Sequence, residues 1–200
     1  MASTTHEMTT SLTILDAARR CLLADGFAAM STRKVAAAAG VPLSQVHYHF
    51  GSKAGMLIAV LDAENERRLA RQVSMYAQDS PLWRRYEQAC DFLEDDLESG
   101  YVRVLQEMIA AGWSTPEIAE KVRAMLLGWH ALLADVSKEA ADRLGTLGPF
   151  APEEVATLVS NAFIGAEAML LLGFDRHEVP IRASLRRVGQ LIRDAEERAT

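Results

Sequence analysis

Three groups of residues have the types and spacing to do chemistry. The first lies between positions 32 and 53 and comprises Thr32, Arg33, Lys34, Leu43, Ser44, Gln45, His47, Tyr48, His49 and Lys53. Hydroxyl and cationic groups reach phosphates, an amide pairs bidentately with adenine, and an aliphatic side chain presses on a thymine methyl. By type, Thr32 and Arg33 suit phosphate, with Arg33 also suited to a guanine edge. Gln45 suits adenine, Leu43 thymine, and Tyr48, His49 and Lys53 phosphate. His47-x-His49 also has the look of a metal pair, but zinc sites use about three or four protein ligands and no nearby Cys or carboxylate completes a set. The second group, Asp175, His177 and Glu178, precedes Pro180, where solvated turn residues are expected, so no metal is assigned there either. The third is scattered: Phe92, Tyr101, Met108, Trp113, Met125, Trp129, His130, Asn161, Phe163 and Glu167. Singly these are core or seam residues. Together, aromatics and methionines with a few polar groups are what a ligand pocket between helices uses. The chain has no Gly-x-Ser-x-Gly elbow, and Gly51-Ser52-Lys53 lacks the glycine spacing of a phosphate loop.

The first group needs a scaffold, and the pattern supplies one. Ser31 or Thr32 can cap a helix whose apolar stripe is Val35, Ala36 and Ala39. Gly40 ends it where a left-handed residue is least costly. A second helix starts at Leu43 or Ser44, with Val46 and Phe50 inward and Ser44, Gln45, His47, Tyr48 and His49 on other faces. Ser52 caps a third helix. A short helix, a glycine corner and a second helix with a polar outer face is the helix-turn-helix plan.

The same residues carry a resemblance. Ile14-Leu15-Asp16-Ala17-Ala18, Gly26-Phe27, Ser31-Thr32-Arg33-Lys34-Val35-Ala36, Ala39-Gly40-Val41 and Val46-His47-Tyr48-His49-Phe50-Gly51-Ser52-Lys53 are similar to the N-terminal DNA-binding domain of TetR-family transcriptional regulators. The likeness covers residues 11–58, about a quarter of the chain. It departs from the family pattern at His47, where a tyrosine is usual, and at Pro42 and Leu43, which replace commoner polar residues. Those departures bear on base preference. The resemblance implies a homodimer with a pocket in its second domain, and implies that filling the pocket changes the spacing of two DNA-binding heads.

Half of the 200 residues are hydrophobic, ample for a packed core in one or two domains. The formal charge of −6 is unevenly spread. Arg19, Arg20, Arg33, Lys34 and Lys53 outnumber Glu7, Asp16 and Asp25 within residues 1–55, so a mildly basic head precedes an acidic body. Cys21 and Cys90 sit on apolar stripes and read as buried free thiols. No secretory signal is visible, and no uninterrupted apolar run approaches the ~18–20 residues of a membrane span.

The expected order is a disordered Ser/Thr-rich arm over 1–10, a helix-turn-helix domain over 11–55, a connecting helix over 56–78, and a ligand-binding and dimerisation domain over 79–200. Ile14, Leu15, Ala18 and Leu22 line the first helix, which Gly26 stops. The connecting helix, roughly 35 Å long at 1.5 Å per residue, suits the transmission of movement. Ser80-Pro81, Thr115-Pro116, Pro152 and Pro180 each open a further helix. No strand-like alternation appears, so the fold class is all-α with about nine helices. From Leu158 to Phe174 nearly every position is apolar or small. Such a helix must be covered on most sides, and with the last helix it suggests a four-helix seam between two copies.

The expected function is that of a cytoplasmic, homodimeric, DNA-binding transcription regulator. It would be a repressor that binds a palindromic operator and is released by a small-molecule effector, with no cofactor and no catalytic activity. The alternative is a helical ligand-binding or interaction protein without DNA binding, or an all-helical enzyme with a polar catalytic cluster in its pocket.

Overall fold

The computed structural model describes residues 2–199, with side chains from Glu7 onward. Among the described residues there are nine helices and no strand: α1 (Ala2–Ala29), α2 (Thr32–Ala39), α3 (Leu43–Phe50), α4 (Lys53–Tyr76), α5 (Leu82–Glu98), α6 (Tyr101–Gly112), α7 (Pro116–Leu144), α8 (Pro152–Leu171) and α9 (Ile181–Ala199). The chain divides into two units. One takes residues up to Arg67 together with Arg103–Arg123, and the other takes Arg68–Val102 and the chain from Ala124.

In the first unit, α1 begins at Ala2, so the arm expected to be disordered over residues 2–10 is helical instead; Met1 lies outside the described residues. Elongating an existing helix avoids the cost of nucleation, and Thr13 Oγ1 donates to the Thr9 carbonyl at 2.9 Å, so hydroxyl side chains fit the helix. Ile14, Ala17, Ala18 and Leu22 pack inward with Val35, Ala36, Val46, Met56, Leu57, Val60 and Leu61. Most of this core is what the apolar stripes of the head predict; Ala17 and Met56 join it, and Leu15, Ala39 and Phe50, expected inward, are half-buried. The unit also includes Val104, Met108 and Ile118 as buried residues, whereas the sequence pattern assigned 79–200 wholly to the body. Polar contacts account for this placement. The Phe27 amide donates to Glu107 at 3.0 Å, and Lys121 pairs with Asp62 at 2.6 Å.

Gly26 interrupts α1 at φ 74°, ψ 171°, a region that only glycine occupies without strain. A Cβ there would also lie 3.0 Å from Glu107 Oε1. Gly26→Ala is therefore expected to destabilise the protein by about 1–3 kcal/mol, read as a lower urea midpoint at unchanged slope.

In the second unit, Tyr86, Cys90, Leu93, Val102, Phe163, Ala166, Ile181 and Leu185 form the main core. α5 lies along α9, and Gly189 lets the two helices approach: a Cβ there would meet Tyr86 at 3.3 Å. Pro81 gives α5 no side-chain cap. Glu196 of α9 fills that role, accepting from the Leu82 and Trp83 amides at 2.9 and 3.1 Å, where a carboxylate also complements the helix dipole. Cys21 and Cys90 are free and buried, as the stripes predict.

α8 buries Ala156, Ser160, Phe163, Ala166 and Glu167 and leaves Leu158, Asn161, Ala162 and Gly165 exposed on a second stripe, with Leu172 exposed at its C-terminal cap. Its mean hydropathy of 1.3 makes it the one helix among the described residues long and apolar enough, by length and composition, to cross a membrane. The sequence marks the same stretch, nearly all apolar or small from Leu158 to Phe174 but interrupted by Ser160, Asn161 and Glu167. Its buried face belongs to the core of a helical unit, with Phe163 and Ala166 in the main cluster.

Candidate DNA-binding face and ligand pocket

α2 and α3 present the first group of candidate residues. Ser31 Oγ accepts from the Lys34 amide at 3.2 Å, capping α2. Gly40 ends it at φ 67°, with its amide directed to the Ala36 and Ala37 carbonyls. The turn then delivers α3, whose N-cap Pro42 makes no side-chain hydrogen bond. A helix start without a side-chain cap leaves opening-turn amides available to an anion such as phosphate. Val46 anchors α3 in the core.

The outward residues separate into two sets. Arg33, Ser44, Gln45, His47 and Tyr48 are exposed, Tyr48 at 71 %, while Thr32 and Leu43 are half-buried beside them. Together they make a polar, partly aromatic face of the kind that reads DNA edges and phosphates. The other set is committed within the fold. Lys34 pairs with Asp25 at 2.6 Å. Lys53 Nζ donates to the Phe27 carbonyl at 2.5 Å and sits 4.2 Å from the centre of that ring, and burial lowers the pKa of its ammonium. His49 is half-buried with Nε2 shielded from solvent, its ring edge-on to Tyr48 at 5.1 Å. His47 Nδ1 lies 3.1 Å from the Gly51 carbonyl. A proton on that nitrogen would donate there and leave Nε2 as an outward acceptor.

The second unit contains a recess of about 40 Å³. Its walls are Gln72 and Tyr76 from α4, Ala89, Phe92, Leu93 and Asp96 from α5, Trp129 and Leu133 from α7, and Val159, Phe163 and Glu167 from α8. Of the candidate ligand residues, Phe92, Trp129, Phe163 and Glu167 come together here. The others do not line it. Tyr101 is buried with the Arg68 guanidinium 4.0 Å from its ring centre, and Met108 is core in the first unit. Trp113 is 83 % exposed, which overturns its placement on an inward stripe: it follows α6 at a helix end, where the helical period no longer fixes direction. Met125 is half-buried on α7, and Asn161 is exposed on α8. His130 Nε2 meets Thr157 Oγ1 at 2.9 Å.

Tyr76 and Asp96 are the notable wall residues missing from the sequence prediction. Asp96 had a signal: it stands three residues after Leu93, on the apolar stripe of α5, where a carboxylate needs a partner. It has two. Arg68 Nε donates to one oxygen at 2.9 Å and an Arg71 nitrogen to the other at 2.8 Å. Burial pushes the Asp96 carboxyl above the usual carboxylate range, and Arg71 and Arg68 oppose that shift. Burial likewise pushes Tyr76 up to about 12 and the Cys90 thiol up to about 11, so both are protonated at neutral pH. A protonated, buried thiol is a poor nucleophile.

Among the described residues no three His, Cys, Asp or Glu side chains group as a metal site. A search of curated proteins returned no match. Many solved structures share the fold. A transcriptional regulator from Saccharomonospora viridis, solved in complex with choline, is 20% identical with a TM-score of 0.75, covering 90% of this chain and 95% of its own. A TetR transcription regulator from Haloarcula marismortui is 20% identical with a TM-score of 0.76, covering 94% and 98%. The fatty acid degradation regulator FadR from Bacillus halodurans is 18% identical with a TM-score of 0.72, covering 91% and 93%. At these identities the likeness is one of fold. The sequence match lies in the head, where residues 14–60 fit the family described as bacterial regulatory proteins, tetR family. Residues 14–60 are thus similar to the DNA-binding head of tetR-family regulatory proteins, in a chain whose all-helical fold is like that of such regulators over nine-tenths of its length.

Proposed function

We propose that the protein is a homodimeric repressor in the cytoplasm that binds a palindromic operator and leaves it when a small molecule enters the recess of the second unit. The exposed face of Ser44, Gln45, His47 and Tyr48 on α3 carries the reading, because a short helix anchored by Val46 holds these polar groups outward, away from its own core. The recess supports the second half, as does the choline complex of the S. viridis regulator of similar fold. Release requires only that the effector bind one conformer more tightly than the other. The enzyme reading has no support from the acid–base groups, since the buried thiol and tyrosine stay protonated.

The dimer rests on α8 and α9. Leu158 on α8, Leu172 at its C-terminal cap and Leu191 on α9 are large apolar side chains left in water, with Ala162 and Gly165 on the same α8 stripe. Small residues let two helices approach closely, and a two-fold seam places two heads on two half-sites. Gly165→Arg is expected to give a monomer by light scattering with its helix content intact, and to weaken operator binding at least about a hundredfold through loss of the second half-site. A wild-type protein that is monomeric at micromolar concentration would overturn the dimeric repressor.

A further inference from the structure

The ring of His47 is held in one proton arrangement by the end of its own helix. Gly51 leaves α3 at φ 70°, ψ −60°, and the Ser52 amide donates back to the Phe50 carbonyl at 2.7 Å, which makes a γ-turn. The Gly51 amide donates to the His47 carbonyl at 2.9 Å, and the Gly51 carbonyl lies 3.1 Å from His47 Nδ1. A carbonyl only accepts, so the proton of this second contact belongs to Nδ1. A neutral imidazole has one N–H, and Nε2 is left with a lone pair and no proton. His47 is exposed, and among the described residues nothing bonds its Nε2.

An acceptor without a proton is selective. It cannot bond a phosphate oxygen, guanine N7 or O6, or thymine O4, which are all acceptors themselves. In the major groove only adenine N6 and cytosine N4 offer protons. The adenine amino group stands between two acceptors, its own N7 and the O4 of the paired thymine, and both repel a lone acceptor that approaches it. The cytosine amino group has an acceptor on one side only, the O6 of the paired guanine. A carboxylate, also acceptor-only, takes cytosine N4 as its partner. Gln45, whose amide both donates and accepts, suits adenine instead.

We infer that His47 is a specificity-determining residue that selects cytosine, its Nε2 accepting from the N4 amino group of the base, while the Gly51 carbonyl fixes the ring for that role. This rests on α3 reading an operator, and names one base within it. The test begins with selection from a random duplex library at about pH 8, by the full-length wild type and by His47→Asn. The asparagine amide keeps a donor for the Gly51 carbonyl but has nothing in place of Nε2. Because His47 is exposed, the variant should keep its helix content and melting temperature. One position in each half-site should lose its preference in the variant, and in the wild-type selection that position should be cytosine. Replacing this cytosine with the 2-pyrimidinone deoxynucleoside, which lacks the amino group, should weaken wild-type binding about tenfold per half-site. The same replacement should leave His47→Asn binding nearly unchanged, and any effect of the analogue on the duplex itself is common to both proteins. A relaxed position that prefers another base, a uniform loss across all sequences, as a phosphate contact gives, or an equal loss for both proteins on the analogue would overturn the inference. A wild-type selection that enriches no site overturns the operator reading and the cytosine assignment together. An enriched site whose preferences are unchanged in His47→Asn overturns the cytosine assignment alone.

Discussion

Glu139→Ala is expected to destabilise the second unit by about 3–5 kcal/mol, because it strands a buried charge. Arg85 is 2 % exposed and donates to both Glu139 oxygens, at 2.5 and 3.0 Å, and to the Tyr76 carbonyl at 2.7 Å. Removing Glu139 leaves the guanidinium with one neutral acceptor. Arg85→Met should cost less, about 1–3 kcal/mol, since it removes the buried charge and Glu139 keeps Arg143 at 2.8 Å. The double variant should lie close to Arg85→Met, a strong non-additivity that urea midpoints would reveal. The pair also has a pH signature. Its hydrogen bond to Arg85 holds the Glu139 carboxyl below the ordinary value of 4.5. The folded pKa is thus the lower one, so the pair's contribution is complete above the unfolded pKa and is lost as pH falls through the folded one. The wild type should lose stability in that acid range more steeply than Glu139→Ala. Equal midpoints for the three proteins at neutral pH would show that the Arg85 charge is not stranded when Glu139 is removed.

The second large effect concerns readout. Gln45 and His47 are exposed on α3 and lie on the face that enters a groove in a helix-turn-helix. Replacing both with alanine should weaken binding to the preferred operator by about 1–3 kcal/mol for each base edge that the two side chains pair with. Affinity for a scrambled duplex should barely change, because phosphate contacts supply non-specific binding. Arg33→Ala should do the opposite, weakening both duplexes and flattening the salt dependence. Fluorescence anisotropy on the two duplexes separates the cases, and an unchanged preference in the Gln45, His47 variant removes both from the readout.

The head was legible because its signals are local. Ser31 as a cap, Gly40 at a left-handed corner, Val46 inward and Gln45 outward are each set within a few residues by backbone sterics and helical period. The all-α class followed for the same reason. What stayed hidden depends on distant partners. The stripe containing Met108 and Ile118 says that they are buried, but not that they belong with the head, where Glu107 meets Phe27 and Lys121 meets Asp62. The pocket was half legible: Phe92, Trp129, Phe163 and Glu167 lie on stripes, yet the same rule swept in Tyr101 and Trp113. Tyr76 was missed because it ends a helix read as a connector, and Asp96 because its neighbours Glu94 and Asp95 make it look like part of a solvated run. A charge on an apolar stripe is the clue worth following.

The central claim is that this protein reads DNA as a dimer, and selection of bound duplexes from a random library tests it most directly. The account predicts an enriched two-fold symmetric site, its half-sites about one helical turn or a multiple apart, bound with an affinity that falls steeply as salt rises. Selection that enriches no sequence, or binding indifferent to salt, would contradict it.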